Sequence, residues 1–245
     1  MKNAGLVMDP GLEILYDDGP CLVVSKPAGL LTQAPPGIDS MAVRVKTFYK
    51  KREAKTGKIY LGIPHRLDRP ASGAMIFARH VRAARRLSAQ FERREVTKIY
   101  LACLERTVTP SEGTWENHIR KIPGKAHAEV VDANHPEGRH SVMHYRTLLN
   151  DEWGTLLEIQ LETGRTHQIR VQASWRGYPI LGDEEYGSSV PFGKPFEDQR
   201  LRAIALHARS LTFRHPMKQK TVSITAPLPK DWEFAPIDEF LSRRP

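Results

Sequence analysis

Cysteine is nearly missing from this chain: its 245 residues include only Cys21 and Cys103, each inside an apolar run. Two such residues build neither a disulfide framework nor a zinc–thiolate cluster. Long hydrophobic runs are missing too, since none approaches the roughly 18 residues of a membrane-spanning helix. The start, Met1-Lys2-Asn3-Ala4-Gly5 leading into Asp9-Pro10-Gly11, has no apolar centre of a secretory signal. A cytoplasmic protein with no membrane partner is the expectation. Familiar chemical signatures are equally scarce. The chain has no GxxxxGK(S/T) phosphate loop, no GxGxxG after a strand, no HExxH and no GxSxG. Nucleotide hydrolases, Rossmann dehydrogenases and zincins are thereby excluded. His140 and His144 stand four apart, but in an alternating, strand-like run where that spacing does not make a helix-based metal pair. No metal site is expected.

Acidic residues are in deficit. Against 28 Asp and Glu stand 37 Lys and Arg, a net charge of +9. Such an excess favours polyanions through counterion release, and it also suits a merely soluble basic surface. Charge alone leaves both readings open.

The hydrophobic pattern predicts a mixed α/β (α+β) chain with much antiparallel pairing. Residues 12–24 read as two strands around Asp17-Asp18-Gly19-Pro20. Ser40 is suited to cap a helix over 41–53, with Val45, Phe48 and Tyr49 on one side. Residues 73–78 read as a buried strand, followed by a helix over 80–94 with Val81, Ala84, Leu87 and Phe91 at helical spacing. The other faces of that helix carry Arg82, Arg85, Arg86, Arg93 and Arg94, suited to phosphates or to solvent. Strands are predicted near 97–104, 141–149 and 155–162, with the Pro- and Gly-punctuated stretch 109–140 forming loops and short strands. Thr166 is a predicted N-cap for a helix over 167–176 that Gly177 ends, and 206–213 and 221–225 read as two further strands. With no linker and no repeat, residues 1–245 are expected to form one domain.

Three segments offer chemistry. In Pro64-His65-Arg66-Leu67-Asp68-Arg69-Pro70-Ala71-Ser72-Gly73 a carboxylate sits between two arginines on a turn before a buried strand. Nearby positive charge keeps such a group ionised, available as nucleophile or base; an ordinary turn residue with a surface ion pair fits the same pattern. Glu162 to Gln172 sets polar and cationic side chains at a helix start, where anions bind, although a plain capped helix reads identically. In Val96 to Ala102, Tyr100 is either core or a ring for base stacking.

Taken together and in order, these segments resemble the RluA-type pseudouridine synthases. The resemblance rests on HRLD with SG and an apolar run (65–78), K-x-Y-L-A (98–102) and GRTHQIR (164–170). Ser25-Lys26-Pro27-Ala28-Gly29-Leu30-Leu31, Leu206-His207-Ala208 through Phe213-Arg214-His215-Pro216, and Ile224 to Pro229 extend it across residues 12–230. It implies the pseudouridine synthase fold: a mixed, mostly antiparallel sheet with flanking helices and a central RNA-binding cleft. It implies isomerisation of uridine to pseudouridine in ribosomal or transfer RNA, without cofactor or metal. The N-terminal S4 module of some relatives is expected to be absent, and a monomer is expected.

The same resemblance assigns roles. Asp68 is the catalytic carboxylate, attacking C1′ or C6 or taking a proton from C2′. Arg165 pairs with it, Tyr100 stacks on the base, Ile169 walls the pocket, and Arg66 fills the vacated stack; His65 and His167 are structural. Two departures stand out. Pro70-Ala71 replaces an acidic residue and Thr, which puts a local hydrogen bond in doubt, and Met143 stands where relatives often have Thr, in a strand expected to lie far from the main motifs. An RNA-binding module without catalysis would share the charge and fold but would not need Asp68, Tyr100 and Arg165 together. A nuclease would bring a carboxylate cluster or His pair, and a methyltransferase a glycine-rich loop; the chain has neither.

Overall fold

The computed structural model describes residues 12–233. In chain order its main elements are β1 (Glu13–Asp18), β2 (Cys21–Lys26), α1 (Met41–Arg52), β3 (Ser72–Ala78), α2 (Val81–Glu92), β4 (Thr97–Leu104), β5 (Glu112–Lys121), β6 (Ala128–Val131), β7 (Arg139–Asp151), β8 (Gly154–Leu161), α3 (Gln168–Trp175), β9 (Leu206–Arg214) and β10 (Thr221–Thr225). Strands dominate and the ladders described below are antiparallel, so the α+β class is borne out. Among the described residues no helix is long and apolar enough to cross a membrane. Backbone proximity divides the chain into two compact units: residues 12–97 with Ala208–Pro227, and Lys98–His207 with residues 228–233.

In the first unit the strand order is β1-β2-β3-β9, with β10 on β9. Alternation decides the packing. Cys21 and Val23 of β2, Ala74, Ile76 and Ala78 of β3, and Leu211 and Phe213 of β9 bury their side chains in one cluster against Ala83 and Leu87 of α2. Burial also pushes the Cys21 thiol up to about 12, helped by Asp18 and Asp17, so it behaves as a small hydrophobe. The β2–β3 register sets Lys26 opposite Gly73, which brings the Lys26-Pro27-Ala28-Gly29 turn to the segment following Asp68.

Gly73 is a position that no other residue can take without strain. Its φ is +119°, and a Cβ there would lie 2.3 Å from the carbonyl oxygen of Ala208 and 2.5 Å from its nitrogen. Both partners are backbone and cannot rotate away. Gly73→Ala is expected to cost about 3 kcal/mol, from the disfavoured φ and the overpacking together. Urea denaturation followed by circular dichroism should show the midpoint fall accordingly.

Helix α1 begins where the sequence places it: the Ser40 hydroxyl accepts from the Val43 N–H, and Met41, Val45, Phe48 and Tyr49 are buried. Helix α2 differs in its face. Its stripe is Ala83, Leu87 and Gln90, with Ala84 and Phe91 beside it, whereas Val81 is 48% exposed. At about 100° per residue, Val81 lies roughly 120° around the helix from Leu87.

The second unit has strand order β4-β8-β7-β5-β6. The stretch 109–140 proves more ordered than its Pro and Gly content suggests, because β5 runs ten residues between β6 and β7. Pro123-Gly124 and Pro136-Gly138 mark the turns, while Trp115 and Ile119 bury into the unit. Gly154 is tied by proximity too, since a Cβ there would meet the Leu104 carbonyl oxygen at 2.0 Å.

Glu105 fastens the loop after residue 187. Its carboxylate accepts from the Ser188 hydroxyl at 2.6 Å, the Ser189 N–H at 2.8 Å and the Val190 N–H at 3.1 Å. Burial pushes its pKa up, but these donors more than offset that and hold it below the usual carboxylate value. A lowered folded-state pKa contributes stability above the unfolded value near 4.3, lost as pH falls through the folded one. Melting temperature should therefore fall below about pH 4, and Glu105→Gln, which cannot gain a charge, should show a shallower acid limb in calorimetry.

Candidate active site

Asp68 lies on the loop between α1 and β3, half-buried, with exposed Arg66 two residues before it. Its position is fixed through three consecutive backbone carbonyls. The Leu67 carbonyl accepts from the buried Thr32 hydroxyl at 2.9 Å, and the Leu67 N–H donates to the same oxygen. The Asp68 carbonyl accepts from the Ala71 N–H at 3.2 Å. The Arg69 carbonyl accepts from the Gly29 N–H at 2.8 Å and from the Lys26 ammonium at 3.2 Å.

Lys26 is fully buried. Besides Arg69 it donates to the carbonyls of Pro27 and Leu30, each at 2.8 Å. Burial pulls its pKa down to about 7, opposed by the attraction of Asp68 and reinforced by Arg69. The Arg69 guanidinium in turn donates to the Gly29 carbonyl at 2.9 Å. The turn at 26–29 and the turn at 68–71 are thus laced together, with Thr32 as a second fastening. Lys26 belongs to a segment that the sequence brings forward and Thr32 lies just beyond it, yet nothing in their spacing points to the distant carbonyls they serve.

The Pro70-Ala71 departure is resolved here. The N–H of buried Ala71 closes the turn on Asp68, so the turn's bond is a backbone one that needs no hydroxyl at 71. His65 ties the loop to β3 and α2. Its Nε2 accepts from the Ile76 N–H at 3.0 Å and its ring stacks on Phe91 at 4.6 Å.

Tyr100, Arg165 and Ile169 belong to the second unit. Tyr100 lies in β4 opposite Ile159 of β8 and is 8% exposed. The segment carrying Arg165 is placed by the edge of β7. Where β8 ends, residues 162–168 take over its hydrogen bonding. The Val142 carbonyl accepts from the Gln168 amide at 3.1 Å, and the Val142 N–H donates to the Thr163 hydroxyl at 2.8 Å. The Arg165 Nε donates to the His140 carbonyl at 3.1 Å, and its backbone N–H to the Gln168 Oε1 at 3.0 Å. Met143 is therefore not remote from the motifs: it pairs with Leu161 of β8, beside this junction.

The predicted Thr166 cap is corrected. The residue before α3 is His167, in the left-handed region at φ 51° and ψ 26°, with no side-chain cap. Gln168, the first helical residue, reaches back instead to Thr163 and Arg165. Buried Ile169 lies on the first turn of α3. His167 is structural, its Nδ1 2.9 Å from the Tyr186 hydroxyl.

Arg170 holds this arrangement in place. Side chains of Arg170 and Asp183 are 2% and 1% exposed and form a two-pronged pair at 2.7 Å. Glu185 accepts from the same guanidinium at 2.7 Å, and Tyr186 lies beneath it with its ring centre at 4.7 Å. Burial pushes the Glu185 pKa up, but the Arg170 hydrogen bond and charge outweigh it and the net direction is down. Asp183 had no signal in the sequence, lying 13 residues downstream in a loop of no evident pattern. Among the described residues no group of three or more His, Cys, Asp or Glu is arranged to hold a metal ion.

Comparison with known proteins adds a consistent set of likenesses. Residues 20–175 match the family model described as RNA pseudouridylate synthase. A ribosomal large subunit pseudouridine synthase D of Pseudomonas aeruginosa is 37% identical over 235 residues, spanning 93% of this chain and 71% of that one. Its counterpart in Xylella fastidiosa is 36% identical over 238 residues, 94% of this chain and 70% of that one. Among solved structures, human RNA pseudouridylate synthase domain containing 4 superposes with a TM-score of 0.72 at 25% identity, covering 89% of this chain and 88% of the other. Human RNA pseudouridylate synthase domain containing 1 gives 0.67 at 27%, covering 94% and 89%.

Proposed function

The chain belongs to the RNA pseudouridylate synthase family and isomerises uridine to pseudouridine in RNA, and from that premise we propose that its substrate is ribosomal RNA and that Asp68 is the catalytic carboxylate. One observation carries the second half. The carbonyls of Leu67, Asp68 and Arg69 are each held by a donor, so the carboxylate rises from a backbone that cannot drift. A reacting group gains most when its orientation is set before substrate arrives. The relatives named as acting on the ribosomal large subunit support the first half.

The chemistry follows from the substrate. Uracil must leave C1′, turn and return through C5, which requires the nucleoside to swing out of its stack at a cost on the order of a few kcal/mol. Arg66 fills the vacated space. Asp68 works on the extruded nucleoside, at C1′ or C6 as nucleophile or at C2′ as base. Arg165 pairs with the carboxylate, Tyr100 stacks on the uracil and assists loss of the C5 proton, and Ile169 supplies an apolar wall. The net positive charge of +9 draws in and positions the RNA backbone. The reading calls for no cofactor and no metal, and describes a cytoplasmic monomer.

Pseudouridine mapping in total RNA from cells with and without the gene tests the substrate. A site lost from large-subunit ribosomal RNA, and restored by the wild-type gene, is expected; sites lost only from transfer RNA would move the assignment there.

A further inference from the structure

A pocket of about 430 Å³ opens in the first unit, lined by Gln33, Pro35, Ser40, Val43, Lys46 and Ile63. Its surface is both apolar and cationic. Val43 is 43% exposed, and Ile38, on the loop leading into α1, is 49% exposed. Neighbouring exposed apolar side chains mark binding surfaces more often than single ones do. Lys46 and Lys50 stand one turn apart on the open side of α1, and among the described residues neither side chain has an ion-pair or hydrogen-bond partner. Their neighbours on the same helix are neutralised: Arg44 pairs with Asp39 and Arg52 with Asp17. Lys46 is left as uncompensated charge in the wall of a concave, partly apolar site, with Lys50 one turn further along α1.

The location is as telling as the chemistry. Gln33 follows Thr32, whose hydroxyl holds the Leu67 carbonyl, and Ile63 lies on the same loop as Asp68. The walls of the pocket are thus continuous in the chain with both sides of the fastening that positions the carboxylate. Flat apolar contacts from Pro35, Val43 and Ile63, an amide at Gln33 and the ammonium of Lys46, with that of Lys50 one turn further along α1, match one ligand class well. A nucleobase has an apolar face and a hydrogen-bonding edge, and its phosphates need cations.

We propose that this pocket receives an unstacked nucleotide of the substrate RNA flanking the target uridine, its base against Val43 and Ile63 and its phosphates on Lys46 and Lys50. The inference rests on the reading that uridine reacts at Asp68. It gives the enzyme a second point of grip on single-stranded RNA, at which the identity of the neighbouring base can be sensed through Gln33.

The test uses full-length Asp68→Asn protein, so that binding is read apart from turnover. The probe is a ten-residue single-stranded oligouridylate carrying 4-thiouridine, with an RNA duplex of equal length as control. Photocrosslinks to peptides spanning residues 33–46 are expected, and the single strand should outcompete the duplex there. Lys46→Glu with Lys50→Glu should weaken single-strand binding about tenfold and lower the salt slope of affinity by about 1 to 2. Val43→Glu, also at an exposed position, should remove the crosslinks. Crosslinks confined to other segments, an unaltered salt slope or equal binding of the duplex would each overturn the proposal. Isomerisation persisting in Asp68→Asn while the crosslinks stay in place would instead remove the reading of Asp68 and leave the pocket as an RNA site.

Discussion

Replacing Asp68 by Asn should lower single-turnover pseudouridine formation by about a thousandfold or more, while RNA affinity stays within severalfold. Asparagine keeps the size of the side chain but can neither add to carbon nor take up a proton, so whichever of the three chemical routes operates, the step is lost. The fold should survive, because the hydrogen bonds to the backbone carbonyls of Leu67, Asp68 and Arg69 are left intact by a side chain of the same size. The measurement is isomerisation of unmodified large-subunit ribosomal RNA with excess enzyme, paired with filter binding and a melting curve. Full activity in a folded Asp68→Asn protein would transfer the chemistry to another residue.

The second large effect concerns stability rather than chemistry. Asp183→Ala should destabilise the protein by about 3–5 kcal/mol, because it strips a buried guanidinium of the partner that compensates its charge. Arg170 is almost completely enclosed, and Glu185, the other carboxylate on it, is a partly exposed side chain. For a chain of this size that corresponds to a fall in melting temperature of about 10 °C. The sign of the pair's own contribution is a separate matter. Removing both charges, as Arg170→Met with Asp183→Leu, should recover most of the loss, since two apolar side chains of similar volume avoid desolvating two ions. A single variant as stable as the wild type would show that water reaches Arg170. Activity should fall in Asp183→Ala as well, through loosening of α3 and of the segment that presents Arg165.

Much of this molecule can be read along the chain, where the determinants are local. Ser40 and the buried positions of α1 follow from a cap and a 3.6-residue period, and β3 from an unbroken apolar run between Gly73 and Ala78. Determinants that act across space are another matter. Val81 is three residues from Ala84 and so shares a helical face with it, but it lies away from the Ala83 and Leu87 stripe that the sheet beneath α2 buries. The N-cap rule favours Thr166, yet the open edge of β7 draws Thr163 and Gln168 into its own hydrogen bonding and leaves His167 to make the turn. The site divides in the same way. HRLD and GRTHQIR are visible as strings, but the partners that orient them, Lys26, Thr32 and Asp183, lie 43, 35 and 13 positions away.

The lacing of Lys26 and Thr32 into the Asp68 turn has an implication for how freely this enzyme can vary. A reactive loop stiffened by its own side chains must conserve them, whereas one suspended from neighbouring segments delegates that duty. Side-chain hydrogen bonds from positions 70 and 71 are thereby not needed to hold the turn, and a turn reading Pro70-Ala71 can stand where an acidic residue and threonine would otherwise be wanted. Evolutionary drift within the loop should then be tolerated so long as the two suspension points, a lysine and a threonine more than thirty residues upstream, remain.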